Sequence, residues 1–309
     1  MFQSVFAPVS SSSTSNSIAV PRTDSNAVDI MEKTDGPSVL ITGCGSGGIG
    51  HALAREFKNH GYMVFATLLA HESQDHLTKL GVTTLIADVT DDGDIKRLQE
   101  VVSQKTGGRL DVLINNAGIC YTMTAIDTDV KQVEKMFAVN VFGPMRMVHV
   151  FHPLLIRAHG KIVNIGSVGG IVPYIYGCNY NATKAALHHW GNTLRVEMKP
   201  LGVSVINIIS GEIGTNILKG DQGRRLPTGS FYQPLADEFA HHVGRTPETT
   251  TPEQYAKSVV AEVMKRRPRA WFWTGARSSA VWFGDTFLPR TIWDWVFSRE
   301  FNLSKLNQT

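Results

Sequence analysis

The sequence predicts an α/β fold, a single domain in which a doubly wound parallel sheet is covered by helices on both faces. Two observations support this. Short segments rich in valine, isoleucine and leucine alternate with segments of helical periodicity, and a glycine-rich turn joins the first such strand to the first helix. Apolar strands separated by helices are typical of parallel sheets buried on both sides, which gives a three-layer αβα architecture.

The elements follow one another in a regular order. We predict strands over Ser38–Thr42, Tyr62–Leu68, Val82–Asp88, Leu110–Asn115, Lys161–Gly166, Val203–Ile209 and Ala270–Thr274. We predict helices over about 48–59, 94–104, 130–157, 182–198, 235–242 and 251–264. The last helix begins with Thr251 as a cap and Pro252 at the first helical position, a common helix start.

The two ends of the chain differ from this domain, which we place at residues 36–275. Seven serines fall among the first seventeen residues, and we expect residues 1–35 to be a disordered extension because so polar a segment cannot bury a core. A transit peptide is the alternative. At the other end, residues 276–309 form an aromatic-rich extension, and five of the six tryptophans lie between Trp271 and Trp295.

Composition argues against several classes of protein. The net charge is only +3, and the lysines and arginines form no continuous stripe, so nucleic-acid binding is not expected. Cys44, Cys120 and Cys178 are too few and too scattered for a disulfide framework or a zinc site, and they favour a reducing compartment. The sequence contains no run of about eighteen apolar residues, so we expect no transmembrane helix. We therefore expect a cytoplasmic protein that binds no metal.

The glycine-rich turn is the first functional signal. It runs from Thr42 to Gly50, where glycines let the backbone approach a pyrophosphate and the helix N-terminus offers free N–H groups. A flexible loop is the alternative, and the position between a buried strand and an amphipathic helix argues against it. The residues expected to contact a dinucleotide are Gly43, Gly45, Ser46, Gly48 and Ile49.

Two further segments end strands at the same edge of the sheet, where ligands bind in open parallel sheets. Asp88 and Val89 end the third strand, and the Asp88 carboxylate could accept a hydrogen bond from an adenine amino group. Asn116, Ala117 and Gly118 follow the fourth strand, and an asparagine there can brace neighbouring backbone and line the cofactor. Ordinary turns are the alternative for both segments.

Four polar residues form a candidate catalytic set. Tyr180 and Lys184 lie one helical turn apart on the same face, and a lysine ammonium beside a tyrosine lowers a phenol pKa that is otherwise near 10. Ser167 ends the fifth strand and could orient a carbonyl oxygen toward Tyr180. Asn140 interrupts an apolar helix and could hold a water that links Lys184 to solvent. Taken singly, each residue also fits a solvated helix face, a turn or a satisfied core side chain.

Together these motifs resemble the short-chain dehydrogenase/reductase family over residues 37–275. The glycine turn is one residue longer than usual, which is similar to the fungal branch that includes the 1-acyldihydroxyacetone-phosphate reductases. The resemblance implies a Rossmann fold with Ser167, Tyr180 and Lys184 as a catalytic triad, extended by Asn140. It also implies a homo-oligomer that pairs through long helices.

The resemblance extends to the substrate side. It implies a substrate lid at about residues 211–250. Within that segment Ile213 and Thr215 would contact the nicotinamide amide, although the proline that many members carry in this turn is missing.

The end of the second strand bears on which nicotinamide is bound. A carboxylate there would bind the ribose hydroxyls of NAD and repel a 2′-phosphate, and the residues from Ala66 to His71 contain none. The arginine that many NADP-dependent relatives carry is also missing, but Ser46, Thr67 and His71 together could meet a phosphate. We expect NADP(H) in preference to NAD(H). Tyr180 and Lys184 would lie against its nicotinamide.

These signals predict an NADPH-dependent oxidoreductase that reduces a ketone to a secondary alcohol, with Tyr180 as the general acid. The aromatic extension favours a lipophilic substrate, either a lipid-like ketone or an intermediate of fungal secondary metabolism. Two other functions stay open, a non-redox cyclase or isomerase on this scaffold and an NADP-sensing binding protein. The extension has two interpretations. It is a flap that packs on the core or on a partner subunit or walls the substrate pocket, or it is an anchor at the surface of the endoplasmic reticulum or a lipid droplet.

Overall fold

Seven strands form one parallel sheet in the structure, a computed structural model that describes residues 36–245 and 249–308. They are β1 (Ser38–Ile41), β2 (Met63–Leu68), β3 (Thr83–Ile86), β4 (Val112–Asn115), β5 (Lys161–Ile165), β6 (Ser204–Ser210) and β7 (Trp271–Thr274). Their order is β3-β2-β1-β4-β5-β6-β7, so the predicted doubly wound sheet is confirmed. The extension predicted for residues 1–35 lies outside the described residues.

Helices cover both faces of this sheet. They are α1 (Ile49–Asn59), α2 (Asp75–Thr78), α3 (Asp92–Thr106), α4 (Val130–Phe137), α5 (Gly143–Ala158), α6 (Cys178–Met198), α7 (Ala236–Gly244), α8 (Pro252–Val263), α9 (Ser278–Phe287) and α10 (Ile292–Glu300). Phe57 of α1 and Tyr255 of α8 are buried against one face of the sheet. Leu98 of α3, Phe151 of α5 and Leu194 of α6 are buried against the other. Burial of these apolar side chains is the main force that holds the three layers together.

The sheet order reverses between β1 and β4. From β1 the chain moves outward to β2 and β3, and it then returns to build β4 to β7 on the other side. Connections leave β1 and β4 on opposite faces, so a crevice opens at the carboxyl ends of these two strands.

The long helix predicted over residues 130–157 is present, but it is not regular. A π-helical stretch, Ala138–Phe142, joins α4 to α5, and the fully buried Asn140 lies in its middle. A π-helical turn inserts one extra residue into a helix and so redirects the neighbouring side chains. The residues on both sides of this stretch have helical periodicity, so the sequence predicted one continuous helix.

Three asparagines lie side by side across the middle of the sheet and form what we call the asparagine ladder. Asn115 Nδ2 donates to Asn164 Oδ1 at 2.9 Å, and Asn164 Nδ2 donates to Asn207 Oδ1 at 3.1 Å. Asn207 Nδ2 in turn donates to the backbone carbonyl oxygen of His188 on α6 at 3.1 Å. Gly191 permits this approach, because a Cβ there would lie 2.3 Å from Asn207 Oδ1. The ladder therefore fixes the position of α6 over β4, β5 and β6.

The C-terminal extension forms α9 and α10, which pack against the domain. Phe297 and Phe301 are buried and make edge contacts with Tyr174, with ring centroids 5.4 and 5.3 Å apart. The outer faces of these helices and the residue after α9 expose large apolar side chains, namely Trp282, Phe283, Phe287, Leu288 and Trp295. Within the described residues, no helix combines the length and the apolar character that a membrane span requires.

Candidate active site

A cleft of about 1030 Å³ opens at the carboxyl ends of the strands, beside the point where the sheet order reverses. Apart from His71, every residue that the sequence assigned to a dinucleotide lines it: Gly43, Gly45, Ser46, Gly48, Ile49, Thr67, Asp88, Val89, Asn116, Ala117, Gly118, Tyr180, Lys184, Ile213 and Thr215. Ser167 also lines the cleft. Asn140 lies behind the cleft wall, fully buried.

The glycine-rich turn leaves no room for larger side chains. Gly43 has a left-handed backbone with φ of 69°, and a Cβ there would come within 2.8 Å of Ala117 Cα. A Cβ on Gly50 would lie 2.4 Å from the Gly43 carbonyl oxygen. The first turn of α1 contains no acidic residue, so its free N–H groups and its dipole favour an anion. The turn therefore fits the pyrophosphate of a dinucleotide.

Polar side chains hold this turn against β4 and β2. Asn116 Nδ2 donates to the carbonyl oxygens of Thr42 and Gly43, both at 2.8 Å. Thr42 Oγ1 accepts from the backbone N–H groups of Asn116 and Ala117, both at 3.0 Å. Thr67 Oγ1 accepts from the Gly43 N–H at 3.2 Å. Asn116 and Thr67 therefore both hold the glycine-rich turn in place.

Glu72 is a cleft residue that the sequence analysis missed. The chain turns back after β2, so that Glu72 Oε2 accepts from the Leu69 N–H at 2.7 Å and Oε1 faces Gly45. The residues from Ala66 to His71 contain no carboxylate, but Glu72, the next residue, brings one to this end of β2. His71, which was expected to help meet a phosphate, does not line the cleft. A carboxylate in this place favours ribose hydroxyls over a 2′-phosphate.

Tyr180 and Lys184 reach the cleft from α6. Lys184 Nζ lies 5.6 Å from the centre of the Tyr180 ring and donates to the Ile165 carbonyl oxygen at 2.9 Å. Burial lowers the pKa of Lys184 to about 8. Burial raises the pKa of Tyr180 and a hydrogen bond with the Ser167 side chain opposes that rise, so the lowered pKa expected from the Lys184 ammonium is not found. Tyr180 therefore keeps its proton at neutral pH, with an ammonium and a hydroxyl nearby to stabilise a phenolate.

Ser167 stands at the start of a short 3₁₀ helix, Val168–Gly170. Its Oγ accepts from the Gly169 N–H at 3.0 Å. Because this bond uses a lone pair of the oxygen, the hydroxyl hydrogen remains available for donation into the cleft beside Tyr180.

Asn140 fixes the loop that follows β4. Its Oδ1 accepts from the Ile119 N–H at 2.9 Å, and its Nδ2 donates to the Ile119 carbonyl oxygen at 2.9 Å and to Thr183 Oγ1 at 3.1 Å. Gly118 lies between Asn140 and Lys184, because a Cβ there would be 3.3 Å from Asn140 Oδ1 and 3.7 Å from Lys184 Nζ. The two polar groups thus approach the same point of the loop.

Comparison with known proteins gives the family. A family profile described as short chain dehydrogenase matches residues 37–224, more than half of the chain. This chain belongs to the short-chain dehydrogenase family. The dehydrogenase is an oxidoreductase that acts on CH–OH or C=O groups, and the resemblance expected from its motifs is confirmed.

Named relatives and a solved structure agree. The dehydrogenase is 67% identical over 257 residues to the short-chain dehydrogenase anuB of Penicillium roqueforti, which covers 83% of this chain and 89% of the relative. It is 39% identical over 251 residues to the NADPH-dependent 1-acyldihydroxyacetone phosphate reductase of Schizosaccharomyces pombe, covering 80% of this chain and 85% of that one. A short-chain dehydrogenase structure from Streptomyces avermitilis has a TM-score of 0.69 at 24% identity, over 88% of this chain and 98% of the other, and shows the same fold.

The outer wall of the cleft in this dehydrogenase comes largely from beyond the matched residues. The C-terminal extension contributes apolar lining through Val281, Trp293, Val296 and Phe297. Two ion pairs also line the cleft, Arg245 with Glu212 and Arg277 with Glu300, each at 3.5 Å. The extension therefore packs on the core and lines the cleft at once.

Sequence reasoning missed three features of the site, namely Glu72, His188 and the asparagine ladder. A signal for the ladder was available, since β4, β5 and β6 are apolar strands that each carry one asparagine. Glu72 carries no such local signal, because a turn brings it to the site. His188 follows Lys184 by one helical turn, but its contact with Ser167 depends on the packing of α6.

Proposed function

We propose that this dehydrogenase uses NADPH to reduce a ketone to a secondary alcohol on a lipophilic substrate, with Tyr180 as the general acid. One observation carries the proposal: Tyr180, Lys184 and Ser167 line the same cleft as the glycine-rich turn. A phenol with a nearby ammonium is suited to give a proton to a carbonyl oxygen at neutral pH.

The chain's own residues would divide the work as follows. The nicotinamide supplies the hydride when it is bound. Ser167 donates a hydrogen bond to the carbonyl oxygen, Tyr180 transfers its proton to that oxygen, and the Lys184 ammonium stabilises the phenolate that remains. Asn140 and Lys184 approach the loop at Gly118 together, which supports a water there that returns a proton to Tyr180 from solvent.

For the cofactor we propose NADP(H) over NAD(H). The S. pombe relative carries the name NADPH-dependent, and the Ser46 hydroxyl in the cleft suits a 2′-phosphate. Glu72 is the group in the cleft that opposes a 2′-phosphate. Initial rates with NADPH and NADH, run in parallel, test the assignment. A preference for NADH would overturn it.

For the substrate we propose a lipid-like ketone or an intermediate of fungal secondary metabolism. The apolar lining from α9 and α10 supports this class, because apolar walls favour an apolar guest. A panel of carbonyl compounds of graded size and polarity, followed by NADPH loss, tests it. Preference for small polar carbonyls would contradict the proposed class.

The role of Tyr180 is tested by Tyr180→Phe, with Tyr62→Phe as a matched control at a half-buried tyrosine outside the cleft. Tyr180→Phe should lower turnover roughly 10²–10⁴-fold, the range for a positioned acid, and leave NADPH binding intact. Transfer of deuterium from 4-deuterated cofactor to product distinguishes reduction from a non-redox reaction or mere cofactor sensing. Unchanged turnover in Tyr180→Phe would remove Tyr180 from its role.

We also propose that the enzyme is a cytoplasmic homo-oligomer that touches a lipid surface of the endoplasmic reticulum or a droplet through α9 and α10. Trp282, Phe283 and Phe287 are exposed there, and the neighbouring Arg290 is far more exposed than its partner Asp285 (86% against 21%). Exposed aromatic rings beside a cation suit an anionic lipid interface.

The lipid contact is tested by flotation with phosphatidylcholine vesicles that contain phosphatidylserine. Wild type should float with the vesicles, and the triple Ala variant at Trp282, Phe283 and Phe287 should not. Equal flotation of both proteins would contradict the contact. Sedimentation velocity of both proteins tests the oligomer, and if loss of the aromatic side chains dissociates it, this face is a subunit interface instead.

A further inference from the structure

The helix that carries Tyr180 and Lys184 presents a third residue on the same stripe. His188 follows Lys184 by one helical turn and is 2% exposed. Its Nε2 lies 3.2 Å from the backbone nitrogen of Ser167. Because a backbone N–H can only donate, Nε2 accepts this hydrogen bond and a neutral ring carries its proton on Nδ1.

Two glycines make room for this imidazole. A Cβ on Gly166 would lie 2.1 Å from His188 Nε2, and a Cβ on Gly170 would lie 2.7 Å from its Cε1. Neither glycine has a positive φ, so space rather than backbone conformation explains them. The segment that carries Ser167 is therefore shaped around the ring on both sides.

The sheet holds the backbone of His188, and its imidazole lies beside a ring of β7. Asn207, the last member of the asparagine ladder, donates to the His188 carbonyl oxygen, and the Trp271 ring lies 5.6 Å from the imidazole. His188 is thus fixed relative to β6 and β7, whereas Ser167 lies in a turn beyond the end of β5. The fixed ring can therefore restrain the position of the turn that carries Ser167.

The ring stays neutral. Burial and the nearby Lys184 ammonium lower the pKa of His188 to about 3, so the lone pair on Nε2 persists throughout the range in which the enzyme can be assayed. Nδ1 has no hydrogen-bond partner in the described part of the chain. An unpaired buried donor is uncommon. The polar contact that the ring does make is the hydrogen bond that Nε2 accepts from the Ser167 N–H.

We propose that His188 is a positioning residue for Ser167, an inference that rests on the proposed reductase function. The Nε2 acceptor holds the Ser167 backbone while the Gly169 N–H holds its Oγ, and the two contacts together aim the hydroxyl hydrogen at the substrate oxygen beside Tyr180. Without the acceptor the turn can rotate, and the hydroxyl is no longer fixed on the reacting oxygen.

The test compares His188→Leu, which removes the acceptor, with His188→Gln, whose amide oxygen reaches the position of Nε2. His189→Leu is the matched control, because His189 is the next residue and is exposed. We expect His188→Leu to lower kcat roughly 10- to 100-fold, the range for a slightly misplaced catalytic group, with the NADPH dissociation constant unchanged. His188→Gln should regain most of this loss, and His189→Leu should match wild type.

A double-mutant cycle with Ser167→Ala separates positioning from a general structural role. If His188 acts through Ser167, His188→Leu lowers kcat no further in the Ser167→Ala background. Fully additive losses, or a His188→Gln variant that is folded yet as slow as His188→Leu, would overturn the inference and leave the reductase function standing. Wild-type turnover in Ser167→Ala would instead refute the proposed role of Ser167 together with the inference. If His188→Leu does not fold, His188→Met, which is closer to the ring in length, takes its place.

Discussion

Replacing Asn140 with leucine tests whether one buried amide holds the loop after β4. The variant leaves the N–H and the carbonyl oxygen of Ile119 without their side-chain partner. Thr183 keeps its own bond to the Tyr180 carbonyl oxygen at 2.7 Å and is not left unpaired. Each buried backbone group left unpaired costs about 1–3 kcal/mol. Because Ile119 is only partly buried, we expect the two groups together to lower the free energy of unfolding by about 2–4 kcal/mol.

Urea unfolding followed by tryptophan fluorescence measures this loss. Asn179→Leu is a suitable control, because Asn179 makes one part-buried bond, to Thr128 Oγ1 at 2.7 Å, and its loss should cost about 1 kcal/mol or less. Turnover of Asn140→Leu should fall as well, since Gly118 and Ile119 line the cleft. A destabilisation below about 1 kcal/mol, or one equal to that of Asn179→Leu, would refute the reasoning.

Three further outcomes are expected. The log of kcat/KM should fall as pH rises through about 8, where Lys184 loses its proton, and this step should be absent in Lys184→Met. Between pH of about 8 and 10.5, Lys184 is protonated in the unfolded state but not in the folded state. This residue therefore makes the folded state more stable as pH rises across that window. Trp293→Ala should lower kcat/KM for a bulky apolar ketone by roughly tenfold or more relative to a small one, while Trp295→Ala, 62% exposed on the same helix, should leave that ratio unchanged. Glu72→Gln removes a repulsion of about 1 kcal/mol between the carboxylate and the 2′-phosphate of NADPH. The KM for NADPH should therefore fall roughly fivefold to tenfold, and the KM for NADH should stay unchanged or rise, as parallel rate measurements would show.

Local patterns were sufficient to predict the sheet and most of the cleft. A strand that is apolar on both faces, such as β4 or β5, is stable only in the middle layer, so the layer order follows from composition. The glycine-rich turn and the spacing of Tyr180 and Lys184 are equally local, because a single turn or a single helical period sets the relation between their residues. These features needed no knowledge of distant contacts.

Only the tertiary structure decided which distant side chains meet. Glu72 faces Gly45 because the chain folds back after β2, and His188 meets Ser167 because the asparagine ladder fixes α6 above the strands. The C-terminal extension became a wall of the cleft through the packing of Phe297 and Phe301 against Tyr174. Periodicity reports whether a side chain is buried, which is a property of one segment. Contacts of about 3 Å between segments depend on register and close packing summed over the whole domain, and no single segment contains that information.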